Sequence, residues 1–415
     1  MKRILTVLLA ALLVLSSAAC GNGENTVNNE IFPKKTEMKT DGQLYTGGEV
    51  KFPATLWETP TAERYDALDR EALNVEGYFI DSVQGTKVFA FVGLPEGASA
   101  ENPVPGIVLV HGGGGTAFAD WVKLWTARGY AAISMSYDGM IPTETTLLSN
   151  SLTQRSPKPS GPAFVTFTDF NKPVEEQWAY YALSAVISSH SFLRSFDCVD
   201  RTKIGVTGIS RGGYLAAAVT GFDDRFCFAV PVYGALGILE PWCNYGRVFS
   251  ANERANELWN TTEIIRASRT PMLFVCGSND TFIPLAAIAR SAAAAKYGNI
   301  LIIQGYPHSH AHGSDVEEIF VFADSICKGA AGLTHLAEER EGGFSFDLPS
   351  GVSLEDVTGW YVGAESVDCN STWLPVSGDA DGSLASAVFP ESAAYTYVTV
   401  TDSRGYRITT PMKAL

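Results

Sequence analysis

An α/β fold, with a doubly wound, mostly parallel sheet followed by a small all-β domain, is predicted by three observations. Through the middle of the 415-residue chain, short apolar runs alternate with longer stretches of helical character. Runs unbroken by polar residues suit parallel strands covered on both faces, and strand and helix taking turns imply crossover helices. After Gly332 the rhythm changes to short alternating segments with turn signals such as Asp379 to Gly382.

The chain opens with a leader. Met1 to Cys20 (MKRILTVLLAALLVLSSAAC) has two basic residues, an apolar run from Ile4 to Leu15, and small residues up to a cysteine. The run is shorter than the ~20 residues a bilayer span requires, and its shape is that of a secretory signal. The ending resembles a bacterial lipoprotein cleavage site with Cys20 as the lipid-bearing residue, although Ser17 stands where leucine is commonest. The alternative is a plain signal with an incidental Cys20. Gly21 to Glu30 is polar and Gly/Asn-rich, as in a flexible tether. The expected organisation is leader 1–20, tether 21–50, α/β domain 51–332 and a β-sandwich-like module 333–415.

Residues 75–93 alternate around Gln84-Gly85 and predict a hairpin. Strands follow at Gly106 to His111, Ala131 to Ser136, Lys203 to Thr207, Phe228 to Tyr233, Pro271 to Cys276 and Ile300 to Gln304. Helices are expected over Ala117 to Arg128, Val174 to about Phe196, onward from Gly212, over 284–297 and over Val316 to Cys327. Two stretches, 139–172 and 234–270, interrupt the alternation and read as insertions above the sheet.

Composition excludes several classes. At 46% hydrophobic and 18% charged residues, the chain is neither disordered, coiled-coil nor collagen-like. Lys+Arg is 30 against Asp+Glu 45, a net charge of −15 that repels nucleic-acid phosphate. Beyond Cys20 six cysteines remain, none in a C-x-x-C spacing, so no zinc knuckle is indicated. An even number in an exported chain permits disulfides without specifying them, and Cys276, within MLFVCG, reads as a buried thiol.

The strongest chemical signal is Gly208-Ile209-Ser210-Arg211-Gly212, between the apolar run KIGVT and the helix-compatible GYLAAAV. Strand, sharp turn and helix are what a G-x-S-x-G nucleophile elbow requires. Glycines flank the serine because the backbone there leaves no room for Cβ atoms. The second signal is His111-Gly112-Gly113-Gly114-Gly115, directly after GIVLV. Stabilising the oxyanion of acyl transfer takes at least two N–H donors. The candidates are Gly113 or Gly114 and the main-chain N–H of Arg211, the residue after the nucleophile. A nucleotide-binding loop is the alternative, but the G-x-G-x-x-G spacing and the phosphate-loop lysine are missing.

A serine hydroxyl needs a base oriented by a third group. In the chain order Ser, Asp, His, the carboxylate is Asp280, just past the strand PMLFVC. Asp223 and Asp224 are rivals, expected to face solvent. For the base, Pro307-His308-Ser309-His310-Ala311-His312 holds three of the six histidines. On loop length His310 is preferred, with His308 second and His312 third. A metal-binding H-x-H-x-H cluster competes, but one segment rarely gives three ligands in good geometry and no cysteine or carboxylate set completes the site. No metal and no cofactor is expected.

With HGGGG at 111–115, GISRGG at 208–213, GSND at 277–280 and the histidine loop at 308–312, the chain resembles α/β-hydrolases of the esterase and prolyl-oligopeptidase-like group, near bacterial acetylxylan-esterase-type proteins. The resemblance spans roughly residues 75–330 and departs from the family's single histidine. It implies a serine hydrolase with Ser210 as nucleophile, His310 or His308 as general base and acid, and Asp280 orienting the imidazole. The lipoprotein start and C-terminal β region resemble envelope-anchored bacterial hydrolases, implying export and a membrane tie through lipid. The expected activity is ester hydrolysis, with acyl (acetyl) groups on carbohydrate as substrate. Trp242, Tyr245 and Trp259 are candidates for stacking on sugars, against ordinary packing. One alternative is a serine peptidase, a group that usually carries a β-propeller ahead of the hydrolase. The other is a catalytically silent envelope binding protein, which has no use for an elbow serine. Oligomeric state is left open.

Overall fold

The computed structural model describes residues 42–143, 146–147 and 152–415. The expected leader, Cys20 and the first part of the tether lie outside these residues. The first half of the chain contributes β1 (Ala62–Arg64), β2 (Glu76–Asp81), β3 (Lys87–Gly93), β4 (Val104–Val110), α1 (Ala119–Thr126) and β5 (Ala131–Ser136). A small hairpin, β6 (Met140–Pro142) with β7 (Thr153–Arg155), occupies the first expected insertion. Then come α2 (Trp178–Leu193), β8 (Val199–Ile209), α3 (Arg211–Phe222) and β9 (Ala229–Val232). Three short helices, α4 (Asn244–Ala251), α5 (Glu253–Trp259) and α6 (Glu263–Ala267), fill the second insertion. The α/β alternation closes with β10 (Met272–Gly277), α7 (Leu285–Ala294), β11 (Gly298–Ile303), α8 (His310–Ser314) and α9 (Glu317–Lys328).

Side by side, β2 and β3 form the expected hairpin, β3 lies antiparallel to β5, and β5, β4, β8, β9, β10 and β11 follow in parallel. Every residue of β5 and β10 is buried, which explains why their sequences carry no charge and little polarity. The chain winds outward in both directions from β4, whose neighbours are β5 and β8. In such sheets, ligands bind beyond the carboxyl ends of the strands at the point where the winding reverses. The register Val110↔Gly208 sets the ends of β4 and β8 level, and Gly277↔Ile303 does the same for β10 and β11.

The strand-rich C-terminal region contains β12 (His335–Arg340), β13 (Gly343–Asp347), β14 (Leu354–Val362), β15 (Leu374–Asp381), β16 (Leu384–Ala387), β17 (Tyr395–Asp402), β18 (Arg407–Thr409) and β19 (Lys413–Ala414). It does not stand apart from the α/β domain: β18 pairs antiparallel with β11 at Ile300↔Thr409, and a single 17-stranded sheet results. The Thr409 hydroxyl donates to Ile300 O at 2.9 Å and accepts from Ile302 N at 3.2 Å. An exposed edge strand is a template for aggregation, and here β18 covers it. Phe344, Phe346, Val398 and Ile408 share one apolar core with Ile319 and Phe320 of α9.

Asp223 and Asp224, expected in solvent, are buried instead, at 0% and 6% exposure. The chain turns back beneath the sheet after α3, where Asp223 pairs with Arg225 at 2.8 Å and with His190 Nδ1 at 2.9 Å. Arg225 also donates to Trp57 O and Ser191 Oγ, tying the segment ahead of β1 to α2. Burial pulls the Asp223 carboxyl upward, but Arg225 and His190 outweigh it and leave it well below the usual range. The six cysteines beyond Cys20 are free thiols, Cys276 among the buried ones.

Candidate active site

Ser210 sits where β8 turns into α3, with φ 59° and ψ −114°. Positive φ in a residue with a side chain is strained and persists where the surroundings over-determine it. Here they do: Ser210 N donates to Val232 O at 2.7 Å, and Tyr214 N to Ser210 O at 2.9 Å. A Cβ on Gly208 would stand 2.1 Å from Gly212 O, and one on Gly212 would stand 2.0 Å from Val110 O. Both elbow glycines are therefore demanded by backbone packing. The serine heads the twelve-residue helix α3, whose N-terminus favours negative charge.

Asp280 follows β10, as the sequence predicts. Its Oδ1 accepts from the N–H groups of Phe282 at 2.8 Å and Ile283 at 3.0 Å, which leaves Oδ2 for an imidazole. That imidazole belongs to His308, whose Nδ1 lies 2.7 Å from Oδ2. The preferred His310 is not there. The preference rested on loop length after the strand, whereas helix α8 begins at His310, with the Ser309 hydroxyl capping it through His312 N at 3.2 Å. His308 is thus seated ahead of the helix, and its ring stacks on Tyr233 at 4.4 Å and meets Phe282 at 4.7 Å. Tyr233 has φ 52° and donates from its hydroxyl to Pro307 O at 2.7 Å.

His310 turns toward the glycine loop, where its Nε2 accepts from Gly112 N at 2.8 Å. Gly112 O in turn lies 2.8 Å from His111 Nδ1, so the N–H and the C=O of Gly112, in two successive peptide units, are each held by an imidazole. The first bond requires an unprotonated Nε2, and burial, with His111 and His308 nearby, holds His310 down to about 3. Burial also lowers His111. Tyr137 stacks on the His111 ring at 4.1 Å and donates to His111 O at 2.9 Å. With its N–H committed to His310, Gly112 is not the oxyanion donor. A Cβ on Gly112 would lie 3.3 Å from Ser210 Cβ, so the loop runs directly past the nucleophile. Gly113 comes next, against the Arg211 guanidinium, and Gly114 follows with φ 74°.

His312 goes to a third partner, with Nδ1 2.8 Å from Ser309 Oγ, so the three histidines diverge. Trp259 is packed inside, its Nε1 donating to Gln177 Oε1 at 2.6 Å, and Tyr245 packs edge-on against Phe164 and Phe167. Trp242 is partly buried against the core. Sequence reasoning missed the grip of His310 on the loop, the stacked Tyr137 and Tyr233, and Phe282. The signal for the two tyrosines was positional: each stands one residue beyond a parallel strand, β5 or β9, on the edge that carries Ser210.

Known proteins share this fold. The prolyl oligopeptidase family matches residues 168–318, a stretch that includes Ser210, Asp280 and His308. An acetyl xylan esterase from Paenibacillus sp. R4 superposes with a TM-score of 0.52 at 18% identity, over 64% of this chain and 89% of that one. Acetyl xylan esterase 1 from Thermoanaerobacterium sp. JW/SL YS485 gives 0.49 at 16% identity, over 60% of this chain and 83% of that one. The acylaminoacyl peptidase of Pyrococcus horikoshii gives 0.46 at 20% identity, over 66% of this chain and 43% of that one. Residues 168–318 are thus similar to the prolyl oligopeptidase family, and the chain shares an α/β-hydrolase-like fold with the first of these structures.

Proposed function

We propose that the enzyme hydrolyses carboxylic esters through an acyl-enzyme formed on Ser210, with acetyl or similar small acyl groups on carbohydrate as the substrate class. The observation that carries the mechanism is the 2.7 Å contact of His308 Nδ1 with Asp280. It commits Nδ1–H to the carboxylate and leaves Nε2 as the base. His308 takes the Ser210 proton as Oγ bonds to the ester carbonyl carbon. Negative charge collects on the carbonyl oxygen, received by the N–H groups of Arg211 and of Gly113 or Gly114. His308 then passes the proton to the departing alkoxide as the acyl–oxygen bond breaks. Water, deprotonated by the same imidazole, releases the acid.

Two supports hold this arrangement. Asp280 is only 5% exposed, so its attraction for the developing imidazolium is little screened. His310, through Gly112, holds the glycine loop against the nucleophile.

Peptide bond hydrolysis is the second reading, favoured by the family matched over 168–318. Purified enzyme assayed on acetylated oligosaccharides, aryl acetates and aminoacyl anilides separates the two. Acetate release with no anilide cleavage supports the ester reading, and the reverse replaces it. We further propose that the enzyme is held at the bacterial envelope by lipid on Cys20. A fatty-acid analogue should label the protein in cells and fail to label Cys20→Ser; an unlabelled, freely released wild type removes the anchor.

A further inference from the structure

The mechanism above uses only the main chain of Arg211, yet its side chain is stacked against the same site. Cζ lies 3.4 Å from the centre of the Phe164 ring, a separation that a face-on stack allows and an edge-on approach does not. Phe164, from the first insertion, therefore fills one face of the guanidinium. A Cβ on Gly113 would stand 3.0 Å from Nη2, 3.6 Å from Cζ and 3.9 Å from Nε, which puts Gly113 over the other face. The hydroxyls of Tyr245 and Tyr137 hydrogen-bond the guanidinium, and Tyr137 is itself fixed to His111 O at 2.9 Å. Nε is buried without a hydrogen-bond partner, so what this group gives the glycine loop comes from its face. A planar guanidinium held in this way is a stiff layer.

What rests on the layer is a turn. Gly115 N donates to Gly112 O at 3.2 Å, and Gly114, third of the four residues, has φ 74°. Among the described residues, the N–H groups of the two central residues, Gly113 and Gly114, have no hydrogen-bond partner, and both residues are exposed. These are the donors available to an oxyanion beside the N–H of Arg211 itself. His310 holds the start of the turn through Gly112 N at 2.8 Å, and the guanidinium lies under its tip. The φ of Gly113 is not in the left-handed region, so its backbone admits a side chain. The three atoms nearest to a Cβ there all belong to Arg211.

We propose that the Arg211 side chain is a positioning residue for the oxyanion donors: its stacked guanidinium sets how close the Gly113–Gly114 tip comes to Ser210. One residue then supplies one donor from its main chain and places the other with its side chain. This rests on acyl transfer at Ser210, and not on whether an ester or a peptide bond is cut.

A double-mutant cycle between Arg211 and Gly113 tests it through two readouts. One is the rate at which a fluorophosphonate labels Ser210, a reaction that also gathers negative charge on an oxygen; the other is kcat and KM on an aryl acetate. Arg211→Ala should slow labelling and lower kcat by about 10–100-fold, with KM within about twofold of wild type. Arg211→Lys should recover little, since a point charge has no face to offer. Gly113→Ala should cost about tenfold beside Arg211 and no more than about twofold in Arg211→Ala, where the added methyl group meets no guanidinium. Melting profiles check that each variant is folded; if Arg211→Ala is not, Arg211→Met, which keeps a chain against Phe164, replaces it in the first comparison. Wild-type rates in the Arg211 variant overturn the proposal. So does a raised KM with unchanged kcat, which makes the side chain a substrate contact, and so does full recovery in Arg211→Lys, which assigns the effect to charge. Equal costs of Gly113→Ala in both backgrounds overturn it as well. Slowed labelling in an enzyme that turns over no ester rejects only the ester reading.

Discussion

The turn after β8 and the loop after β11 both bring a candidate catalytic group to the same sheet edge, yet by different physics. The turn is fixed by backbone packing: a Cβ on Gly208 would come within about 2 Å of Gly212 O in the turn itself, one on Gly212 within about 2 Å of Val110 O in β4, and the serine is driven to φ 59°. The loop offers chemically identical side chains at alternate positions and sorts them by partners remote in sequence. His308 meets Asp280, 28 positions away, and His310 meets Gly112, 198 positions away. A motif that backbone exclusion restricts to glycine is visible in one sequence. A choice among like residues is made by the assembled fold.

Substitutions sharpen this contrast, beginning with the nucleophile. Ser210→Ala should lose fluorophosphonate labelling and lower kcat by roughly 10⁴–10⁶, because nucleophile and base act as a unit. Undiminished labelling would place the nucleophile elsewhere. Asp280→Asn should lower kcat by about 10⁴, by turning the His308 imidazole to the wrong tautomer. Turnover of that variant near wild-type level would break the assigned pairing.

Most of the parallel sheet was legible before the structure. The strands at Gly106, Ala131, Pro271 and Ile300 are mostly apolar because both faces are covered, and each shows that coverage in its composition. Ser210, Asp280 and the glycine loop were legible for a related reason: they stand directly after such strands. Three things were not. Helix α8 is five residues long, too short to carry a periodic signal, so the step from extended chain to helix at His310 was hidden. Asp223 reads as a solvent residue until Arg225 and His190 arrive beside it. The C-terminal strands alternate as a separate domain's would, and nothing in them announces the single pairing of Thr409 with Ile300 that joins them to β11.

Smaller effects probe the supporting imidazole. His310→Phe removes the acceptor for Gly112 N, and an unpaired buried N–H costs about 1–3 kcal/mol. We expect kcat to fall about tenfold with KM little changed, and His310→Gln to recover part of the loss. A KM effect alone would show that His310 contacts substrate instead. The last prediction concerns pH. Burial lowers His310 and His190 to about 3 and His335 to about 4. In the unfolded chain these groups titrate near 6.5. Below that pH the unfolded state binds protons that the native state refuses, so stability present above about 6.5 is lost as pH falls toward 4. The slope is at most about 1.4 kcal/mol per pH unit for each histidine. Melting temperature should drop steadily across this window, and a flat profile would mean that these imidazoles are not held neutral.

The central claim is that His308, and not His310, is the base. Turnover of His308→Ala and His310→Ala on one acetyl ester, each normalised to folded protein by melting profile, tests it directly. We predict a loss of about 10⁴ or more at His308 and of about tenfold at His310. A severe loss at His310 with a mild one at His308 would contradict the assignment and return the base to the helical side of the loop.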